Sequence, residues 1–245
     1  MLFFRENSPL KYEFNQLFSS LFKNAERYIS IIREIYGRRS GVTRQEIINS
    51  GNTVSGKELT ACLEDLEQCG FIRKYRNFSQ KINGCHYQLI DPFCLFHLAF
   101  LEKDTVGSWI EFVNTPAYHN WCGLAFENVC LLHTDQIKKA LGISGVFTQE
   151  FSWRSKNRSP GAQVDLLIDR KDDVINVCEI KYTQDEYSIS ASYEKELIQK
   201  LEVLRKESKT KKSLFLTMIS FGGIKNNAHK NVVTCELTGE DLFSP

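Results

Sequence analysis

No run in the 245 residues approaches the roughly 18 consecutive apolar residues that a membrane-spanning helix needs. The longest candidate, FCLFHLAFL at 93–101, contains His97 and reads as core or interface. The first residues, MLFFRENSPLKYEF, lack the basic stretch, apolar stretch and small-residue cleavage site of an export signal. A cytoplasmic protein without a membrane partner is therefore expected. Close cysteine pairs are missing too: the eight cysteines, at 62, 69, 85, 94, 122, 130, 178 and 235, form no C-x-x-C, and the five histidines form no H-x3-5-H. Zinc sites are built from such pairs, so these cysteines are expected to be reduced core residues. Charge of one sign is absent, since 31 basic side chains face 30 acidic ones. Any nucleic-acid affinity must come from local patches. Neither G-x-S-x-G nor G-x-G-x-x-G occurs, which leaves no basis for a serine hydrolase or a dinucleotide site.

What is present is globular composition, 42% hydrophobic and 25% charged, in a chain long enough for one or two domains of roughly 150 residues. Periodicity divides it into an N-terminal extension over 1–24, a helical domain with a terminal hairpin over 25–100, a linker over 101–115 and an α/β domain over 116–245. Tyr28, Ile29, Ile32 and Ile35 share one helical face. T-R-Q-E at 43–46 and S-G-K-E at 55–58 both read as capping boxes, and Leu59, Cys62, Leu63 and Leu66 form the inner face of the second helix they open. FIRKYRNF and GCHYQLI alternate as two strands joined by the turn SQKIN.

Three short helices and a two-stranded wing predict a winged helix-turn-helix domain. Its third helix carries Glu58, Glu64, Asp65 and Glu67 against Lys57, which phosphate would repel. The wing holds the basic residues Arg73, Lys74, Arg76 and Lys81, so backbone contact there, or docking onto protein, is favoured over groove reading. G-N-T-V-S-G-K-E at 51–58 mimics a P-loop and then fails: Glu58 stands where a Mg-binding hydroxyl is needed, and no strand precedes it. No ATP site is expected.

Thr115 and Pro116 open a helix predicted over 116–141, with Leu124, Leu131 and Ile137 inward. Glu127 lies among its apolar residues, either at a solvated edge or aimed into a cleft. The strongest chemical signal follows. QVDLLI and VINVCEIK read as strands joined by DRKDD. Alternation places Ile175, Val177, Glu179 and Lys181 on one face and Val174, Cys178 and Ile180 on the other; Asp165 shares a face with Leu167 and is within reach of Glu179 across a hairpin. Carboxylates closing an apolar strand need a cation, either a side chain or a metal. Asp165, Glu179 and the carbonyl of Ile180 offer the hard oxygens that Mg or Mn prefers, and Lys181 stands ready to orient a water and balance charge on phosphorus. The loop WRSKNRSPGA adds Arg154, Lys156 and Arg158 as candidate phosphate contacts.

The segments GLAFE at 123–127, QVDLLI at 163–168 and CEIKY at 178–182 resemble the signature of the restriction-endonuclease-like PD-(D/E)xK nuclease superfamily. Over about 15–243 the chain also resembles the C-terminal part of a family of bacterial and archaeal AAA-type ATPases, including D-P-F at 91–93 and E-D-L-F at 240–243. The resemblance implies an α-β-β-β-α-β core, with Asp165 and Glu179 as metal ligands, Lys181 as the catalytic lysine and Glu127 as an assisting acid. It implies Mg- or Mn-dependent hydrolysis of DNA, with an ATPase domain or subunit as partner. Gln163 stands where relatives often carry an acidic residue, Val164 replaces the superfamily's proline, and the P-loop module of the ATPase family is not in this sequence. The alternative expectation is a DNA- or protein-binding regulatory module of an ATPase without catalysis.

Overall fold

The computed structural model describes residues 8, 10, 12–38, 41–78, 85–102, 109–113, 115–156 and 161–243. It is a mixed α/β protein with a three-stranded and a five-stranded sheet, and it divides into two compact units, Met1–Tyr75 with Asn83–Asn120, and Arg76–Ile82 with Trp121–Pro245. No described helix is long and apolar enough to cross a membrane.

The first unit contains α1 (Glu13–Leu21), α2 (Ala25–Tyr36), β1 (Val42–Thr43), α3 (Arg44–Ser50), α4 (Gly56–Gln68), β2 (Ile72–Arg76), whose last residue falls in the second unit, and β3 (Cys85–Leu89). Its strands are ordered β1-β3-β2. Residues 1–24 are not merely an extension, because Phe14 and Phe18 of α1 and the following Phe22 are buried with Ile32, Leu63 and Leu66 in one core. Burying three aromatic side chains stabilises the unit through area that the local helical pattern of 25–100 did not require. Beyond β3, α5 (Pro92–Phe96) is capped by Asp91 and runs into a π-helical turn over His97–Leu101. Within the expected linker, α6 (Trp109–Phe112) stacks its two aromatic rings on Phe96 and Phe100, so that part of it is packed structure.

Thr43 forms the anticipated capping box: its hydroxyl accepts from the Glu46 amide, and Glu46 accepts from the Thr43 amide at 2.8 Å. Ser55 makes no such bond. The reason is local, since Gly56 takes a left-handed φ of 64° at the first helical position and Glu58 pairs with Arg27 instead. The turn between β2 and β3, with Lys81, lies outside the described residues.

The second unit begins within α7 (Pro116–Leu132), where Thr115 Oγ1 accepts from the Tyr118 amide at 3.3 Å. The helix predicted to reach 141 breaks at His133 and resumes as α8 (Thr134–Ala140). The His133 ring nitrogen bonds the Val129 carbonyl at 2.8 Å, a side-chain contact that competes with helical continuation. Then come β4 (Thr148–Arg154), β5 (Gln163–Arg170), β6 (Val174–Lys181), α9 (Ala191–Ser208), β7 (Ser213–Ser220) and β8 (Cys235–Thr238), the last a strand that the sequence pattern did not announce. The sheet order is β4-β5-β6-β7-β8; β4, β5 and β6 pair antiparallel, and β6, β7 and β8 pair parallel. One face packs Leu166, Ile168 and Cys178 against Phe126, Cys130 and Ile137 of α7 and α8. The other packs Trp153, Leu167, Ile175 and Val177 against Leu204 of α9. With a neighbour on each side and a layer on each face, β6 has to be apolar along most of its length.

The caps give a direct test. Thr43→Ala is expected to lower the stability of the first unit by about 1 kcal/mol and Ser55→Ala by less than about 0.5 kcal/mol, read from denaturant midpoints; equal losses would contradict the assigned caps.

Candidate active site

Glu179 stands at the C-terminal end of the central strand and is 8% exposed. Strand alternation points it to the α9 side, as it does Ile175 and Val177. Tyr193 in the first turn of α9 donates its hydroxyl to Glu179 Oε1 at 2.5 Å, and Lys200 donates to Oε2 at 2.5 Å. Lys181, next on the same strand face, lies 3.1 Å from Oε1 and 5.1 Å from the Tyr193 ring centroid. The cation required by this buried carboxylate is thus supplied from two elements by side chains.

Burial pushes the Glu179 carboxyl up, but Lys200 and Lys181 together with the two hydrogen bonds outweigh it, and the group is held below the ordinary glutamate value. The Tyr193 hydroxyl moves upward, first through burial and then through the adjacent carboxylate, so it remains a donor at neutral pH. Tyr187 is raised for the same reasons. One ionised carboxylate therefore sits among two ammonium groups and a neutral phenol.

Asp165 is placed differently from its simple alternation. Phe151 pairs with Leu167 and Trp153 with Val164, so three steps of β5 face two of β4. This bulge puts Val164 and Leu167 in the same core, and Asp165 lies between them. The β5–β6 ladder ends at Leu166 with Cys178, one residue short of Asp165 and Glu179. Asp165 Oδ1 accepts from Gln163 Nε2 at 2.7 Å, and no hydrogen bond or ion pair among the described residues joins it to Glu179. Glu127 is half-buried on α7, where its charge contributes to raising the Cys130 thiol, behind burial. Among the described residues, no three of His, Cys, Asp and Glu gather closely enough to hold an ion. The available donors, Asp165, Glu179 and the Ile180 carbonyl, fit a hard divalent ion in kind, although both oxygens of Glu179 already face side-chain donors.

The basic candidates are dispersed. Arg73 donates through Nε and Nη2 to Gln88 Oε1 at 2.9 and 2.6 Å and lies over the Tyr75 ring, whereas Lys74 and Arg76 are exposed. Arg154 and Lys156 are exposed after β4; Arg158 lies outside the described residues. Glu64 and Glu67 are exposed on α4.

Tyr193 and Lys200 were missed in the sequence. Their signal was available: Tyr193, Leu197, Lys200 and Leu204 recur at i, i+4, i+7 and i+11, so a lysine interrupts an otherwise inward stripe.

Because the folded Glu179 carboxyl titrates below its unfolded value of about 4.3, its contribution is present above that pH and disappears as pH falls through the folded value. Glu179→Gln is expected to cost on the order of 2–3 kcal/mol at pH 7, less than the ~3–5 kcal/mol of a fully buried pair since both lysines are partly exposed. In denaturation measured across pH, the gap to wild type should close below about pH 4; a gap independent of pH would contradict the ion-pair assignment. No family model, curated protein or solved structure matches this chain.

Proposed function

We propose that the second unit is a Mg- or Mn-dependent phosphodiester hydrolase of restriction-endonuclease-like architecture acting on DNA, and that the first unit is a winged helix. The observation that carries this reading is Glu179: a buried carboxylate, kept ionised, with Lys181 on the same strand face at the carboxyl end of β6. Ends of parallel strands are where open α/β sheets present their ligands. Support for the architecture comes from the order α7, antiparallel β4-β5-β6, α9 and then β7 parallel to β6, with β8 added beyond it.

In this reading Glu179, Asp165 and the Ile180 carbonyl hold the ion on its protein side, and Glu127 assists from α7. The ion, when bound, supplies Lewis acidity to the scissile phosphate. Lys181 orients the attacking water and balances charge gathering on the phosphorus oxygens. Arg154, Lys156 and Arg158 contact the DNA backbone from the loop after β4. In the first unit the wing residues Arg73, Lys74, Arg76 and Lys81 serve backbone contact, while acidic α4 suits a protein surface, that of an ATPase domain or subunit, better than a groove.

A second reading, a DNA- or protein-binding module of an ATPase without catalysis, is favoured by one observation: both Glu179 oxygens are already taken by Lys181, Lys200 and Tyr193. Hydrolysis of DNA with Mn separates the two. Wild type is expected to cleave, with Asp165→Ala and Lys181→Ala slower by roughly 10²–10³-fold, the range seen when one group stabilising transition-state charge is removed. Equal rates in all three proteins, or DNA bound by wild type without cleavage, would reject catalysis at this site.

A further inference from the structure

Glu179 carries one negative charge and meets two ammonium groups, and they are not equivalent. Lys181 reaches Oε1 at 3.1 Å, shares that oxygen with the Tyr193 hydroxyl, and is 35% exposed. Lys200 holds Oε2 at 2.5 Å and is 20% exposed. Its place on α9 is fixed by its neighbours, since Leu197 and Leu204 on the same stripe are fully buried. The lysine stem thus follows the packed face of the helix, and its charged end is delivered to the strand carboxylate rather than to solvent.

We infer that Lys200 is a positioning residue that occupies the place of the divalent ion on Glu179 and has to leave Oε2 before the ion can be held. The inference rests on the metal-dependent reading above and extends it from the strands to α9. An ammonium at hydrogen-bond distance competes for the same oxygen and repels a doubly charged ion, so metal affinity of the resting site is set by how readily Lys200 swings away. Lys181 is the lesser obstacle, because its longer contact leaves Oε2 untouched. Closure by Lys200 also keeps the buried carboxylate compensated while no ion is present, which an empty pair of carboxylates on adjacent strands would not achieve. A phosphate group entering with the ion offers Lys200 a new anionic partner, so substrate and metal are expected to favour each other's binding.

Calorimetric titration of Mn2+ alone into the full chain tests this. Lys200→Met and Lys200→Gln are expected to bind Mn2+ roughly 10–100-fold more tightly than wild type, the range over which neighbours of metal ligands alter affinity. Lys181→Met should gain less, and Glu179→Gln should remove the binding. A merely structural role for Lys200 predicts weaker binding on its removal, not stronger. If the Lys200 variants bind no tighter than wild type while Glu179→Gln still loses the ion, the inference fails and the metal site stands. If no protein in the series binds Mn2+, both fail. Thermal melting accompanies each titration; should Lys200→Met unfold, Lys200→Gln, which keeps a polar donor, carries the test. Unfolding of both would make Lys200 a structural strut and overturn the inference.

Discussion

A carboxylate placed at the inner end of a central strand must be compensated where it stands, and the second unit is organised around that requirement. Transfer of an uncompensated charge into the interior is costly enough that the group would otherwise take up a proton. Lysines 181 and 200 and Tyr193 prevent this at Glu179 by meeting both oxygens. Two of the three come from α9, so the helix that covers one face of the sheet also completes the polar end of β6. Its position is determined twice, by Leu197 and Leu204 in the apolar layer and by Lys200 and Tyr193 at the strand end.

The same requirement links the structure to its proposed chemistry. A buried acid held ionised is available as a hard ligand, and a lysine beside it is available to water or phosphate, but each is engaged by the other at rest. The other acid anticipated for the ion, Asp165, is removed from simple alternation by the bulge in β5 and turned toward Gln163. Metal binding on this account is a rearrangement of polar partners rather than the filling of a preformed cage. In the first unit the polar residues play quieter parts: Arg73 braces the wing through Gln88, and the exposed Glu64 and Glu67 keep α4 acidic.

Much of this was legible in the residues because it rests on short-range rules. Alternation along 174–181 assigned both faces of β6, and Thr43 with Glu46 marked a real helix start. What was not legible depended on backbone detail or distant partners. Ser55 has the same capping pattern as Thr43, but the left-handed Gly56 after it changes the geometry. A side chain of His133 ended a helix whose apolar spacing runs on. Asp165 looked like a strand residue in phase with Leu167, and one extra residue in β5 undid the phase. Helix α1 earns its place through Phe14 and Phe18, whose partners lie tens of positions away in the chain. Lys200 could be suspected from the stripe it interrupts, though only the fold names Glu179 as its partner.

The central claim is that Glu179 stays ionised because lysines, Lys200 foremost, compensate it. The most direct measurement is an NMR titration following the side-chain carboxyl carbon of Glu179 in the metal-free protein. The account predicts a transition below the ordinary glutamate value of about 4.3, moving upward in Lys200→Met. A transition in wild type at or above that value would contradict it, leaving a neutral carboxyl that neither pairs with lysine nor awaits an ion.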